Sequence, residues 1–277
     1  MQEESRKKIE KVIASNKFAI KKKEPKIAFA TNLRLRHDIL VQDKREIAIL
    51  LSALQSQHSE LSPFVHRLKS YVKDITEETH ICAVYLILCH IFENWDSAFL
   101  LADNGKSNAV GNLIRTIKEG IMLTELFCFD CKNNDSTNLK RWFSGYIIEH
   151  SVGREKMSKN FDESLINPQL DFKKMDAHIY QMESQVPHNS YATILELVSP
   201  FTEDYDFDGF TGYHRTLAWL RYATGSLAAT NISLKAVYSY IINDEQIYNN
   251  LDKILLKYNP NLKDGLDKQI FDDFQKK

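Results

Sequence analysis

The sequence predicts an all-α fold: a helical bundle with a long antiparallel helix hairpin at its centre. Three observations lead there. Glycine and proline are scarce, 9 and 6 in 277 residues, which suits long helices and disfavours a many-stranded sheet. Apolar residues recur at spacings of three and four over long stretches, the period of one helix face. The breaks between the two most regular stretches are very short, so those two helices are expected to fold back on each other.

Taken in order, residues 1–15 have helical periodicity, with Ile9, Val12 and Ile13 on one side, and residues 16–38, broken by Pro25, are the least regular part. A helix is expected from Ile39 to Ser59. Ser62-Pro63 then reads as an N-cap with proline at the first helical position, opening a short helix through Tyr71. Thr76 is expected to cap the next helix, with Glu77 and Glu78 complementing its dipole and Asp103 near its end. Its apolar face is Ile81, Val84, Leu88, Phe92, Trp95 and Phe99. After Asn104-Gly105 the second arm of the hairpin runs towards Phe127. A third long helix is expected after Asp135-Ser136, carrying Leu139, Trp142, Phe143, Tyr146 and Ile147. Asn167-Pro168 opens another, ending before Pro187, and a short one spans Ser190 to Val198. Thr202 to Gly212 reads as a loop. From Tyr213 to Ile242 a long helix returns, whose Gly225, Ala228 and Ala229 offer a close helix approach, and two short segments finish the chain. By organisation, residues 1–75 form an N-terminal helical segment with an irregular basic stretch, and 76–277 form the main bundle.

Apolar residues make up 43% and charged residues 26%, a globular balance, and the formal charge of −1 supplies no overall basic field for nucleic acid. Lys21, Lys22, Lys23 and Lys26 form a local basic run, read as a solvated arm. The stretch Ile81 to Phe92 is interrupted by His90 and reads as a buried helix rather than a membrane span. The N-terminus lacks the apolar core of a secretory signal, so cytoplasmic residence is expected. The four cysteines, Cys82, Cys89, Cys128 and Cys131, lie among large apolar residues, where a thiol behaves as a small hydrophobe, so neither a zinc site nor a redox pair is expected. Asp204, Asp206, Asp208 and Gly209 resemble a calcium loop in composition, but Arg215 stands where the closing glutamate belongs. No H-x-x-x-H pair, P-loop or dinucleotide fingerprint occurs, and no metal or cofactor is expected.

Chemistry is sought where polar residues interrupt the hairpin. With a turn centred near Asn104, His90 falls level with Lys118 and Glu119, and Asn94 level with Arg115. His90 and Asn94 share one face, as do Arg115 and Glu119. One reading is an ion pair that fixes register, with His90 and Asn94 as hydrogen-bond partners. The other is a pocket with histidine as acid/base and arginine holding an anion. A second cluster, Ser184 to Tyr191, places His188 at a proline-broken junction beside Asn189 and Ser190, either as part of a capping corner or as an accessible imidazole.

The run Asn112-Leu113-Ile114-Arg115-Thr116-Ile117-Lys118-Glu119 resembles the L-x-R-x-x-x-E helix of a bacterial all-helical family loosely grouped with HEPN-like domains. Ser184-x-x-x-His188-Asn189-Ser190 is similar to that family's S-x-x-H corner. The resemblance spans roughly residues 76–240. It implies a helical bundle that often dimerises, hence a homo-oligomer, and marks Arg115, Glu119 and His188 as site positions. Many HEPN relatives cleave RNA without metal, in defence or stress, through an arginine and histidine spaced R-x(4–6)-H. No arginine here precedes a histidine at that spacing. The resemblance therefore implies binding or self-association first and ribonuclease activity, with RNA as partner, second.

Overall fold

The computed structural model describes residues 29–149, 152–153 and 210–260. Six α-helices account for most of them and pack against one another; among the described residues there is no strand. They are α1 (Phe29–Leu68), α2 (His80–Asp103), α3 (Ser107–Lys132), α4 (Thr137–Phe143), α5 (Phe210–Ala236) and α6 (Glu245–Tyr258). A 3-10 turn, Lys69–Tyr71, follows α1, and α5 continues as a π-helical segment, Val237–Ile242. The expected helices opening at Asn167 and Ser190, the part of the expected Thr202–Gly212 loop before Phe210, His188 and the second terminal segment lie outside the described residues; from Phe210 to Gly212 the chain is already in α5, three residues before the helix was expected.

Helix α1 corrects the expectation of a break at Ser62. It runs through Pro63 for 40 residues, about 60 Å at the usual rise. Proline's fixed φ is helical, but its missing N–H leaves the Ser59 carbonyl without its intrahelical donor, at roughly 3 kcal/mol in a helix interior. Ser59 and Pro63 are both exposed, so that carbonyl lies on the solvent side. On the other side Leu61, Val65 and Leu68 are buried, each contributing about 1.5–3 kcal/mol. Burial on the inner face therefore outweighs the lost bond. The buried positions Ile47, Leu51, Leu54, Leu61, Val65 and Leu68 are spaced alternately by four and three, with one gap that His58 fills.

The start of α2 is shifted one turn from expectation. Asp74 Oδ1 accepts from both the backbone N–H and the hydroxyl of Thr76 at 2.8 Å, so Thr76 closes a turn instead of capping a helix. Thr79, in an extended conformation, is the N-cap, its Oγ1 accepting from the Cys82 N–H at 3.3 Å. The end at Asp103 is as expected. Gly105, at φ +65°, donates to Ala102 O while Lys106 donates to Leu101 O, the paired bonds of a Schellman C-cap. Helix α3 then starts at Ser107 and packs more extensively on α2 than any other helix does. Gly120 makes this approach close: a Cβ there would fall 2.8 Å from Ile91 Cγ1. Gly111 allows a similar approach of α5, where a Cβ would meet Trp219 at 2.7 Å. Gly225, expected to serve that purpose, is exposed and nothing lies within 4 Å of the corresponding point.

The long third helix expected after Ser136 is replaced by the short α4. Gly145, at φ +83°, donates to Trp142 O and Tyr146 N–H donates to Arg141 O, a second Schellman cap that stops the helix at Phe143. Tyr146 and Ile147 are thereby thrown out to solvent, Ile147 being 88% exposed. Helix α5 lies along α1 in the same direction: Arg221 reaches Glu46 at 2.6 Å, and Tyr238 donates to Phe64 O at 2.6 Å. Lys235, fully buried, pairs with Asp252 and holds α6 against α5. One apolar core, including Leu54, Leu88, Trp95, Phe127, Leu227 and Leu251, draws on α1, α2, α3, α5 and α6.

No stretch was expected to be long enough for a bilayer, yet α2 is long and apolar enough by length and composition. Half of its most apolar window is buried against neighbouring helices.

Candidate functional site

Arg115 and Glu119 meet as their spacing predicts, Nε donating to Oε1 at 2.9 Å along the outer turn of α3. The arginine side chain is mostly buried and the glutamate half-exposed. The α2 residues expected to join them do not. Asn94 is buried, but its amide donates to the carbonyl of His90, one turn back on its own helix, at 2.7 Å. His90 is exposed, and its Nδ1 stands 3.9 Å from Glu93, again on α2. Lys118, expected level with His90, turns to α5 and donates to Tyr222 Oη at 2.5 Å. Polar side chains on a helix reach an adjacent turn of their own helix before they reach a neighbouring one, and Asn94 and His90 do so.

His90 and Glu119 nevertheless line one concavity of about 910 Å³ between α2, α3 and the residues after α4. Its walls are apolar: Leu86 and Ile87 from α2, Leu123 and Leu126 from α3, and Trp142 from α4. Tyr146 and Ile147 stand at the mouth. Trp142 is fixed there by edge contacts to Phe127 and Phe143, at centroid distances of 5.8 and 5.0 Å. Arg115 does not line the concavity. His90 and Glu119 thus line it together with Thr116 and Glu149, while most of the remaining lining is apolar.

Two features escaped the sequence reading. Glu125, on α3, accepts from Ser233 Oγ of α5 at 3.0 Å, and burial pushes its carboxyl up to about 7. Its spacing along an otherwise apolar stretch was the available signal. The second is the polar residue His58 in the apolar series of α1, visible in sequence as a break between Leu54 and Leu61 in a four-and-three repeat.

The cysteines behave as hydrophobes. Cys128 and Cys131 occupy the last turn of α3, and burial raises both thiols, Cys128 strongly. Cys82 donates to Ile75 O at 3.2 Å and Cys89 lies beside Tyr85, both raised chiefly by burial. A thiol held protonated is a poor nucleophile and a poor metal ligand. Glu77 and His80 have a spacing used in carboxylate-bridged metal helices, but Glu77 precedes α2 and His80 Nε2 faces the Asp135 carbonyl at 3.1 Å. Among the described residues no group of three or more His, Cys, Asp or Glu is arranged to hold a metal.

The chain matches no protein-family model, no curated protein and no solved structure.

Proposed function

We propose that this protein works by binding, and that the apolar concavity between α2 and α3 docks the same region of a second copy. The observation that carries the reading is the pairing, on one face, of a greasy hollow with an exposed greasy projection. Ile147 and Tyr146 stand at the mouth, 88% and 64% exposed, beside walls of Leu86, Leu123 and Trp142. A surface holding both parts is self-complementary, which is what a two-fold interface requires: the projection of each copy enters the hollow of the other. Aromatic and aliphatic side chains make up most of the lining, and they are the usual composition of an interface core. The resemblance to HEPN-like bundles, which often dimerise, agrees with this.

Catalysis is the weaker reading on the same residues. Arg115 is committed to Glu119 at 2.9 Å, and His90 is exposed and paired along its own helix. Neither is held in the dry, preorganised setting that acid–base chemistry exploits.

Sedimentation or light scattering across the micromolar range tests the proposal. The wild-type chain is expected to show a mass rising from one copy to two. Ile147→Asp, on a side chain that the fold leaves in solvent, is expected to weaken association at least about tenfold, as burying one unpaired charge at an interface core does. A wild-type chain that stays monomeric, or an Ile147→Asp variant that associates as well as wild type, overturns it.

A further inference from the structure

The seam of α1 carries a polar interruption at His58, between Leu54 and Leu61, and the structure surrounds it with others. His58 is 8% exposed and Gln57 4%; on α5, Thr230 and Asn231 are fully buried. The contacts that bracket them set the register. Glu46 meets Arg221 and Phe64 meets Tyr238, at sequence separations of 175 and 174, which puts Asn231 level with Gln57. Helix α2 joins at the same height, where Trp95 Nε1 donates to Thr230 Oγ1 at 3.4 Å. Three helices thus share one buried polar layer, flanked by apolar residues such as Leu54, Leu61 and Leu227.

Little of that polarity is satisfied. Gln57 Nε2, His58 Nε2 and both amide atoms of Asn231 have no hydrogen-bond partner among the described residues. The His58 ring instead packs on carbon: 4.6 Å from the Phe92 centroid and edge-on to Phe99 at 5.5 Å. A neutral imidazole tolerates this. An imidazolium is tolerated less well: both ring nitrogens then carry N–H in a buried place, and although the Phe92 backbone carbonyl and Asp96 favour the added charge, the loss of solvent outweighs them.

We propose that this layer is an acid-operated latch: neutral His58 lets α1 stay seated on α2 and α5, and uptake of a proton by its ring releases α1.

The charged surroundings oppose release only weakly. Helix α2 supplies Asp96, whose Oδ1 is 3.7 Å from His58 Nδ1, but its side chain is 69% exposed and its charge is shared with water. Helix α5 offers Thr230 and Asn231, which do not titrate. Helix α6 reaches α1 at Glu60, through Lys257 and the Tyr258 hydroxyl, one charge balancing another. The residues of the 3-10 turn, Lys69 and Tyr71, lie beyond the far end of α1. Burial therefore dominates and holds His58 below the ordinary imidazole value of 6.5, with Asp96 and a hydrogen bond to the Phe92 backbone opposing. With the folded value depressed, the unfolded or released form binds the proton more readily. The hold on α1 is complete above 6.5 and weakens as pH falls through the window below it.

Hydrogen exchange of the full chain at about pH 7.5 and about pH 5.5, corrected for the intrinsic rate, tests the latch. Peptides covering 47–68 are expected to lose about tenfold or more of their protection at the lower pH, while those of α2 and α3 lose less. His58→Leu restores the apolar repeat and is expected to keep α1 protected at both values. Asp96→Asn is expected to move the midpoint to lower pH, a readout that survives if His58→Leu fails to fold. An acid loss of α1 protection equal in wild type and His58→Leu overturns the proposal. So does a His58 ring that titrates, by its proton resonances, at or above the free-histidine value.

Discussion

Taking a carboxyl group out of water favours its protonated form, and Glu125 is such a group. Its one described neighbour able to help the charged form is the Ser233 hydroxyl, which does not offset the loss of solvent. The folded value, about 7, lies above the ordinary 4.5, so the folded chain binds more protons than the unfolded one between those limits. The stabilising contribution is therefore full below 4.5, declines as pH rises, and is gone above about 7. Glu125→Gln, neutral at every pH and still able to accept from Ser233, removes this dependence. Thermal melts are expected to superpose for the two proteins near the acid limit and to separate as pH rises, the variant being the more stable in mildly alkaline buffer. A separation that does not change with pH refutes the assignment. His58 acts in the opposite sense, gaining stability as pH rises towards 6.5, so the difference between variant and wild type isolates Glu125.

At the scale of elements, capping decides where helices stop, and burial decides whether they continue. Gly105, Asn134 and Gly145 all adopt positive φ directly after α2, α3 and α4, and each closes the C-cap bonds that end its helix. Proline inside α1 works against its helix, yet the buried face prevails. Pro63→Ala is therefore expected to stabilise the protein by about 1–3 kcal/mol, since it restores the bond to Ser59 O on an exposed face and disturbs no core contact. Chemical denaturation measures it, and a variant less stable than wild type would mean that the proline ring packs in a way the exposed position does not indicate. The π-helical end of α5 is a second override. Helical periodicity extends to Ile242, but Asn243 at φ +59° and the bond from Asp244 N–H to Tyr238 O widen the last turn, while Tyr238 is held by Phe64 O on α1.

Across the whole molecule, the binding reading makes a claim about RNA. Purified protein incubated with total RNA in a chelator is expected to leave it intact, for wild type and His188→Ala alike. Cleavage by wild type that disappears in His188→Ala would replace binding with a metal-independent nuclease. Much of the architecture was legible from residue order alone. The all-α class, the long helices that became α2, α3 and α5, the turn at Asn104-Gly105 and the Arg115–Glu119 pair follow from local rules: period, breakers, and side chains one turn apart. What those rules cannot supply is which neighbour a side chain prefers when several are in reach. Asn94 and His90 turned along α2, Lys118 crossed to α5, and Thr76 was taken by Asp74. The continuity of α1 through Pro63, the apolar hollow beside Ile147 and the polar layer at His58 and Asn231 were settled by tertiary packing. Each is a balance between a local preference and burial against a helix distant in sequence, and the second quantity exists only once the helices have met.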